Sequence, residues 1–199
     1  VLWAQDATHL GRVDRTRSVT QCNSHPNTGL PQPNVVSNGA GSTAIWGEVI
    51  KEVASTRLLD VSVGAPASGD DVIATLEALR KERGLPLVYV SDNGSPYRCA
   101  LVKDYLARHK VVHLKNLPRT PQHNAWSERS NRELKQETGL GRGVRVLDVE
   151  DARARVEKAR CKIDQCAPRA SRGWRTPAQL DETLPRWHAR VSRDDFWRE

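Results

Sequence analysis

Leu87-Val-Tyr-Val90 is a run of four apolar residues closed by Ser91-Asp-Asn-Gly94. A strand with apolar side chains pointing both ways needs cover on both faces, so it belongs in the middle of a sheet clothed by helices. The flanking sequence supplies that cover. Ser68-Gly-Asp-Asp71 has capping-box spacing, Val72, Leu76 and Leu79 follow at helical intervals, and Gly84 with Pro86 stops the helix. Ser95-Pro96 opens a second helix with Val102, Leu106 and His109 on one side, and Lys110–Leu114 reads as a further strand. Upstream, GEVIKEVAS and RLLDVSVG read as a hairpin of two strands. Downstream, a helix spans about Ala125 to Thr138 and is closed by Gly139 and Gly141. Another opens at Asp148, with Ala152, Val156, Ala159 and Ile163 on one stripe. A short strand, Val1–Asp6, begins the chain. This order predicts one mixed α/β sheet.

Residues 14–43 are of another kind. Rich in Ser, Asn, Gly, Pro and Thr, they hold too few large apolar groups to offset their ordering entropy, and read as a disordered surface insertion. The chain divides into a core over residues 1–165 and a basic tail over 166–199 that packs on or near it. The tail carries Arg169, Arg172, Trp174, Arg175 and a Thr176-Pro177 helix start. That patch either clamps a polyanion or docks on the core.

Charge narrows the partners. The chain of 199 residues carries a net charge of +7. Residues 101–199 hold 22 basic against 14 acidic groups, whereas residues 1–100 hold 9 against 10. A basic half beside a neutral half suits a polyanion on one face. No apolar stretch is long enough to span a bilayer, and VLWAQDATHL lacks the pattern of a signal peptide. Cysteines 22, 99, 161 and 166 have neither disulfide-scaffold density nor Cys-x2-Cys spacing, and read as reduced thiols of an intracellular protein.

Three carboxylates stand where elements end: Asp6 closing the first strand, Asp92 after the apolar strand, and Glu128 in the first turn of the helix after PQHN. Each has an ordinary alternative. Asp-Asn-Gly is a turn sequence, and an acid in a first turn suits the helix dipole. Together they form an oxygen set of the kind Mg²⁺ and Mn²⁺ prefer. Arg132 and Lys135 follow Glu128 by four and seven residues and share its helix face, in reach of a phosphate backbone. Trp126 reads as core packing rather than a base-stacking platform.

Thirty-five residues separate Asp92 from Glu128, and the surrounding WAQDAT, VSDNGSPY and TPQHNAWSERSNRELK, with a weaker GWRTPAQL, resemble the integrase catalytic core of retroviral integrases and D,D-35-E insertion-sequence transposases. The resemblance spans most of the chain outside residues 14–43. It implies an RNase H-like fold, a five-stranded mixed sheet with helices on both faces. It also implies two Mg²⁺ or Mn²⁺ ions on Asp6, Asp92 and Glu128, catalysing 3′-end nicking and strand transfer of mobile-element DNA. Arg119, His123, Asn124, Arg132 and Lys135 would contact double-stranded DNA, with 117–124 as a flap beside the site. Arg119 reaches a phosphate or pairs with a surface acid. The partners implied are element ends, target DNA and further copies of the chain, in a cytoplasmic, nucleoid-associated setting without a membrane.

Two other readings compete. Such transposases carry a helix-turn-helix region before the core, and the insertion follows the Asp6 strand directly; a first strand unable to pair would leave a catalytically inactive DNA-binding or assembly fragment of a decayed element. A nuclease that cuts without joining is the third.

Overall fold

The computed structural model describes residues 2–14, 22–24, 31–33, 42–116 and 125–184. Its sheet is ordered β5-β4-β1-β6-β7, where β1 is Leu2–Asp14, β4 Ser42–Glu52, β5 Leu58–Gly64, β6 Val88–Ser91 and β7 Val112–Lys115. A two-residue strand, β8 (Arg145–Val146), also pairs with β1. The sequence leads to five strands; the sixth is too short to leave a periodic signature. β4 and β5 form the expected antiparallel hairpin, and β6 runs parallel to both β1 and β7.

β1 is longer than its apolar residues suggest. It continues past Asp6 through a bulge between His9 and Gly11 and pairs with β4 from Trp3↔Glu52 to Asp14↔Ser42. Asp6 therefore lies mid-strand, not at a strand end. Residues 14–43 thus join two paired strands, and within them Cys22–Ser24 (β2) and Pro31–Pro33 (β3) pair antiparallel.

Helices cover both faces. On one, α1 (Gly69–Arg83), α2 (Ser95–Arg98) and α3 (Ala100–Arg108) bury Val72, Leu76, Leu79, Tyr97, Val102 and Leu106 against Trp3, Ile50 and Tyr89. The capping box on α1 is present, with Ser68 and Asp71 bonding reciprocally. The single helix expected from Ser95 is divided at Cys99, whose extended backbone separates α2 from α3. On the other face, α4 (Ala125–Thr138) and α5 (Val149–Cys161) bury Leu134, Ala152, Val156 and Ala159 against Leu10, Ile45 and Val49. The tail's α6 (Pro177–Thr183) is pinned by Asp181, which takes Arg83 at 2.5 Å and Arg57 at 2.8 Å. Burial would raise the Asp181 carboxyl, but these two guanidinium groups hold it below its ordinary value.

After α5 a wide helical turn, Lys162–Cys166, points Asp164 inward, where it accepts the Leu58 amide at 3.0 Å. Burial pushes this carboxyl from 3.8 to about 6. A raised carboxyl pKa favours the fold below about pH 4 and loses that stabilisation as pH rises through 6, by roughly 2–3 kcal/mol. Asp164→Asn should therefore remove a fall in unfolding free energy between pH 4 and pH 6.5, measured by urea denaturation. An unchanged difference between the two pH values would contradict this account.

Candidate active site

The parallel pairing of β1 with β6 ends at Gln5↔Ser91. Asp6 and Asp92 each follow the last paired residue, Asp6 continuing β1 and Asp92 leaving β6 for its turn. Farther along β1, β8 takes up pairing at Arg12 and Val13. Between these two partners the Leu10 carbonyl accepts the Gly141 amide at 2.9 Å.

Asp6 is 9% exposed and lies on the face of β1 that α4 covers. There Asn131 donates its amide to Asp6 Oδ2 at 2.9 Å. Asn131 stands one turn after Glu128 on α4. Together with Thr8, two residues after Asp6, these residues line an open hollow of about 530 Å³ whose other walls include Arg132 and Lys135. The helix face expected to carry an acid followed by two cations thus meets the strand that carries Asp6. His9, farther along β1, is kept neutral: burial, then the charges of Arg12, Lys135 and Arg142, lower its pKa.

Asp92 is held by its own turn. Its Oδ1 accepts the Gly94 amide at 2.8 Å, the Asx turn that Asp-Asn-Gly favours. A Cβ on Gly94 would stand 2.9 Å from that oxygen, so a larger residue would push the Asp92 carboxylate aside. Asn93 donates to the carbonyl of Asn116, tying the turn to the end of β7, and His113 Nε2 lies 2.8 Å from Ser91 Oγ. The turn reading of this motif is thus met.

Behind the two aspartates lies a buried polar network that the sequence does not disclose. Tyr89 donates to Gln5 Oε1, Gln5 Nε2 to Glu48 Oε2 at 3.4 Å, and Tyr97 to the same Glu48 oxygen. Burial raises the Glu48 carboxyl and outweighs these hydrogen bonds; the nearby charge of Asp92 adds to the rise. Sequence reasoning misses both Glu48 and Asn131, Glu48 because a strand acid in GEVIKE reads as a solvent-facing position. Asn131 has a signal: it lies at i+3 from Glu128.

Among the described residues, no group of three or more His, Cys, Asp or Glu side chains is gathered closely enough to hold a metal ion as it stands. Asp6 and Asp92 each stand one residue past the last pair of the β1–β6 ladder, whereas Glu128 is exposed on α4. The donor chemistry nonetheless suits a hard cation. Beside Asp6, the buried Asn131 Oδ1 has no hydrogen-bond partner among the described residues, an oxygen left for a cation or its water. Arg119, His123 and Asn124 lie outside the described residues. Trp126 is 51% exposed and so does not pack in the core as expected, because its position on α4 faces a solvent hollow rather than the sheet.

The central mixed sheet with helices on both faces is an RNase H-like fold, the fold of integrase catalytic cores. In particular, the chain superposes on a simian T-cell lymphotropic virus intasome (in complex with PP2A regulatory subunit B56 gamma) with TM-score 0.63 and 17% identity, covering 93% of this chain and 55% of that one. It matches the HTLV-2 integrase catalytic core domain in complex with magnesium (trimeric form; TM-score 0.58, 14% identity, 90% and 94% covered) and the BIV integrase core (0.56, 18%, 90% and 91%). No protein-family model and no curated protein matches. Among the described residues no helix is long and apolar enough to cross a membrane.

Removing the Asn131 amide leaves the buried Asp6 carboxylate short of a donor. Asn131→Ala should lower unfolding free energy by about 1–3 kcal/mol at pH 7 in urea titrations. A change within error would show that Asn131 does not support Asp6.

Proposed function

We propose that this chain is the catalytic core of a metal-dependent DNA transposase or integrase, a polynucleotidyl transferase that nicks 3′ ends of mobile-element DNA and joins them to a target. The reading is supported by the placement of Asp6 and Asp92 one residue past the last pair of the β1–β6 ladder, with the Asn131 amide of α4 on Asp6 and Glu128 lining a hollow one turn earlier on that helix. Asp6, Asp92 and Glu128 would hold two Mg²⁺ or Mn²⁺ ions, which when bound supply activation of the attacking oxygen and stabilisation of the leaving oxygen of a phosphodiester.

The chain's own groups prepare that chemistry. The Asn131 amide fixes the Asp6 carboxylate, and the Gly94 amide fixes that of Asp92. Arg132 and Lys135, one and two turns beyond Glu128, hold the DNA backbone over the hollow. Arg119, His123 and Asn124 make further DNA contacts. The HTLV-2 core in dimeric and trimeric forms and the simian viral intasome support an oligomer of this chain on paired DNA ends. Action on DNA entails a nucleoid-associated, cytoplasmic setting.

Asp92→Asn and Glu128→Gln should each abolish Mg²⁺-dependent joining of labelled oligonucleotides and leave the circular-dichroism spectrum unchanged; normal joining by both would reject the assignment. The open arrangement of the three acids favours one second reading, a DNA-binding or assembly fragment without activity. Mn²⁺ titration separates them. An active core should melt several degrees higher with Mn²⁺, an effect absent in Asp92→Asn, whereas an inactive fragment should show no shift.

A further inference from the structure

Helix α4 has a second face. Glu128, Asn131, Arg132 and Lys135 look onto the hollow beside Thr8 of β1. Trp126, Arg129 and Glu133 are rotated from them by about 145° at 3.6 residues per turn. They line a different hollow of about 570 Å³, walled also by Lys51 and Glu52 of β4 and by Arg169 and Arg172 of the tail, so four cations face two acids. That volume suits a ligand the size of a nucleotide.

The walls are built and oriented. Lys51 is 4% exposed, and its ammonium donates to Ser130 Oγ at 2.6 Å and to the Trp126 carbonyl at 3.1 Å, which fixes it beneath the first turns of α4. Burial lowers its pKa to about 8; Glu133 pulls it upward, and Arg169, Arg129 and Arg172 press it down again. Arg169 spends its charge on Glu133 at 2.7 Å, which docks the tail onto α4. A tight turn then presents Arg172: the Arg169 amide bonds the Arg175 carbonyl at 3.0 Å, and Gly173 and Trp174 both take positive φ, 63° and 61°. Arg129 and Arg172 are exposed, and beside them stands the half-exposed indole of Trp126. Cations crowded round a lysine in a partly desolvated hollow repel one another, and an anion relieves them. An indole beside two guanidinium groups is the pairing that holds a base and its phosphate.

We propose that this second hollow binds a phosphate of a DNA strand, with an unpaired base of that strand stacked on Trp126, away from the Asp6–Asp92 edge. The inference deepens the proposed function and rests on DNA being the substrate, but binding at this hollow does not depend on catalysis.

The test uses the full chain and labelled DNA carrying a single-stranded overhang, with anisotropy read across a salt series. Arg129→Gln with Arg172→Gln should weaken binding about tenfold and lower the slope of log affinity against log salt by about 0.7 for each phosphate no longer neutralised. Arg129→Lys with Arg172→Lys should restore most of that slope. The overhang should quench tryptophan emission in the parent chain and fail to do so in Trp126→Phe; inorganic phosphate should compete only at millimolar concentration and without quenching. Joining is lost in Glu128→Gln and overhang binding in the double Gln variant, so failure of joining and failure of binding at this hollow are separable results. Unchanged affinity and salt slope in the double Gln variant, or quenching that persists in Trp126→Phe, would overturn the proposal, as would inorganic phosphate or fully paired DNA binding as well as the overhang.

Discussion

The backbone ladder between β1 and β6 is the contact on which the rest of this molecule depends. Parallel neighbours cannot be joined by a tight turn, so the chain travels through β4, β5 and α1 before β6 can lie beside β1. The ladder is short, four residue pairs from Leu2↔Val88 to Gln5↔Ser91. Its register decides everything at its carboxyl end. Because side chains alternate across the sheet, a slip of one residue would send Asp6 to the α1 face and Gln5 to the α4 face. Asn131 would then face an amide and the tyrosines a carboxylate.

The polar network behind the aspartates guards that register. Gln5 comes from β1, Glu48 from β4, Tyr89 from β6 and Tyr97 from α2, so its bonds cross-link the strands that deliver both aspartates to the edge. Burying a carboxyl is costly, as the raised Glu48 pKa records. A shifted register would leave these groups unpaired at about 1–3 kcal/mol each, more than a satisfied bond contributes. The network is therefore better understood as a penalty against wrong alignments than as a source of stability. It also lies close enough to Asp92 for the two carboxyl groups to oppose each other's ionisation.

How much of this is legible in advance depends on whether a residue's role is local. The capping box of α1, the bounds of α4 and the Asp148 cap of α5 are set by neighbours within one turn, and the sequence shows them. The Asx turn at Asp92 belongs to the same class. Long-range roles do not show. Nothing near Glu48 announces two tyrosines from distant elements, and β1 beyond Asp6 is polar enough (Thr8, His9, Arg12) that only its ladder to β4 reveals a strand. Trp126 misleads for a related reason: its size argues for burial, but helix phase overrides size, and α4 buries Ser127, Ser130, Asn131 and Leu134 instead.

That small polar stripe explains how α4 serves two surfaces. A helix packed through large apolar residues stands about 10 Å from its sheet. Three of the four residues buried around its middle, Ser127, Ser130 and Asn131, are small or polar. They fill the space toward β1 and β4 with hydrogen bonds rather than hydrocarbon: Asn131 to Asp6 on one flank, Ser130 to Lys51 on the other. The same contacts that seat the helix thus anchor an acid on one side and a cation on the other. Replacing Ser130 and Asn131 by larger apolar residues would improve the hydrophobic contact and destroy both anchors. The polar underside of α4 is a concession in packing that makes sense only if both flanks are used.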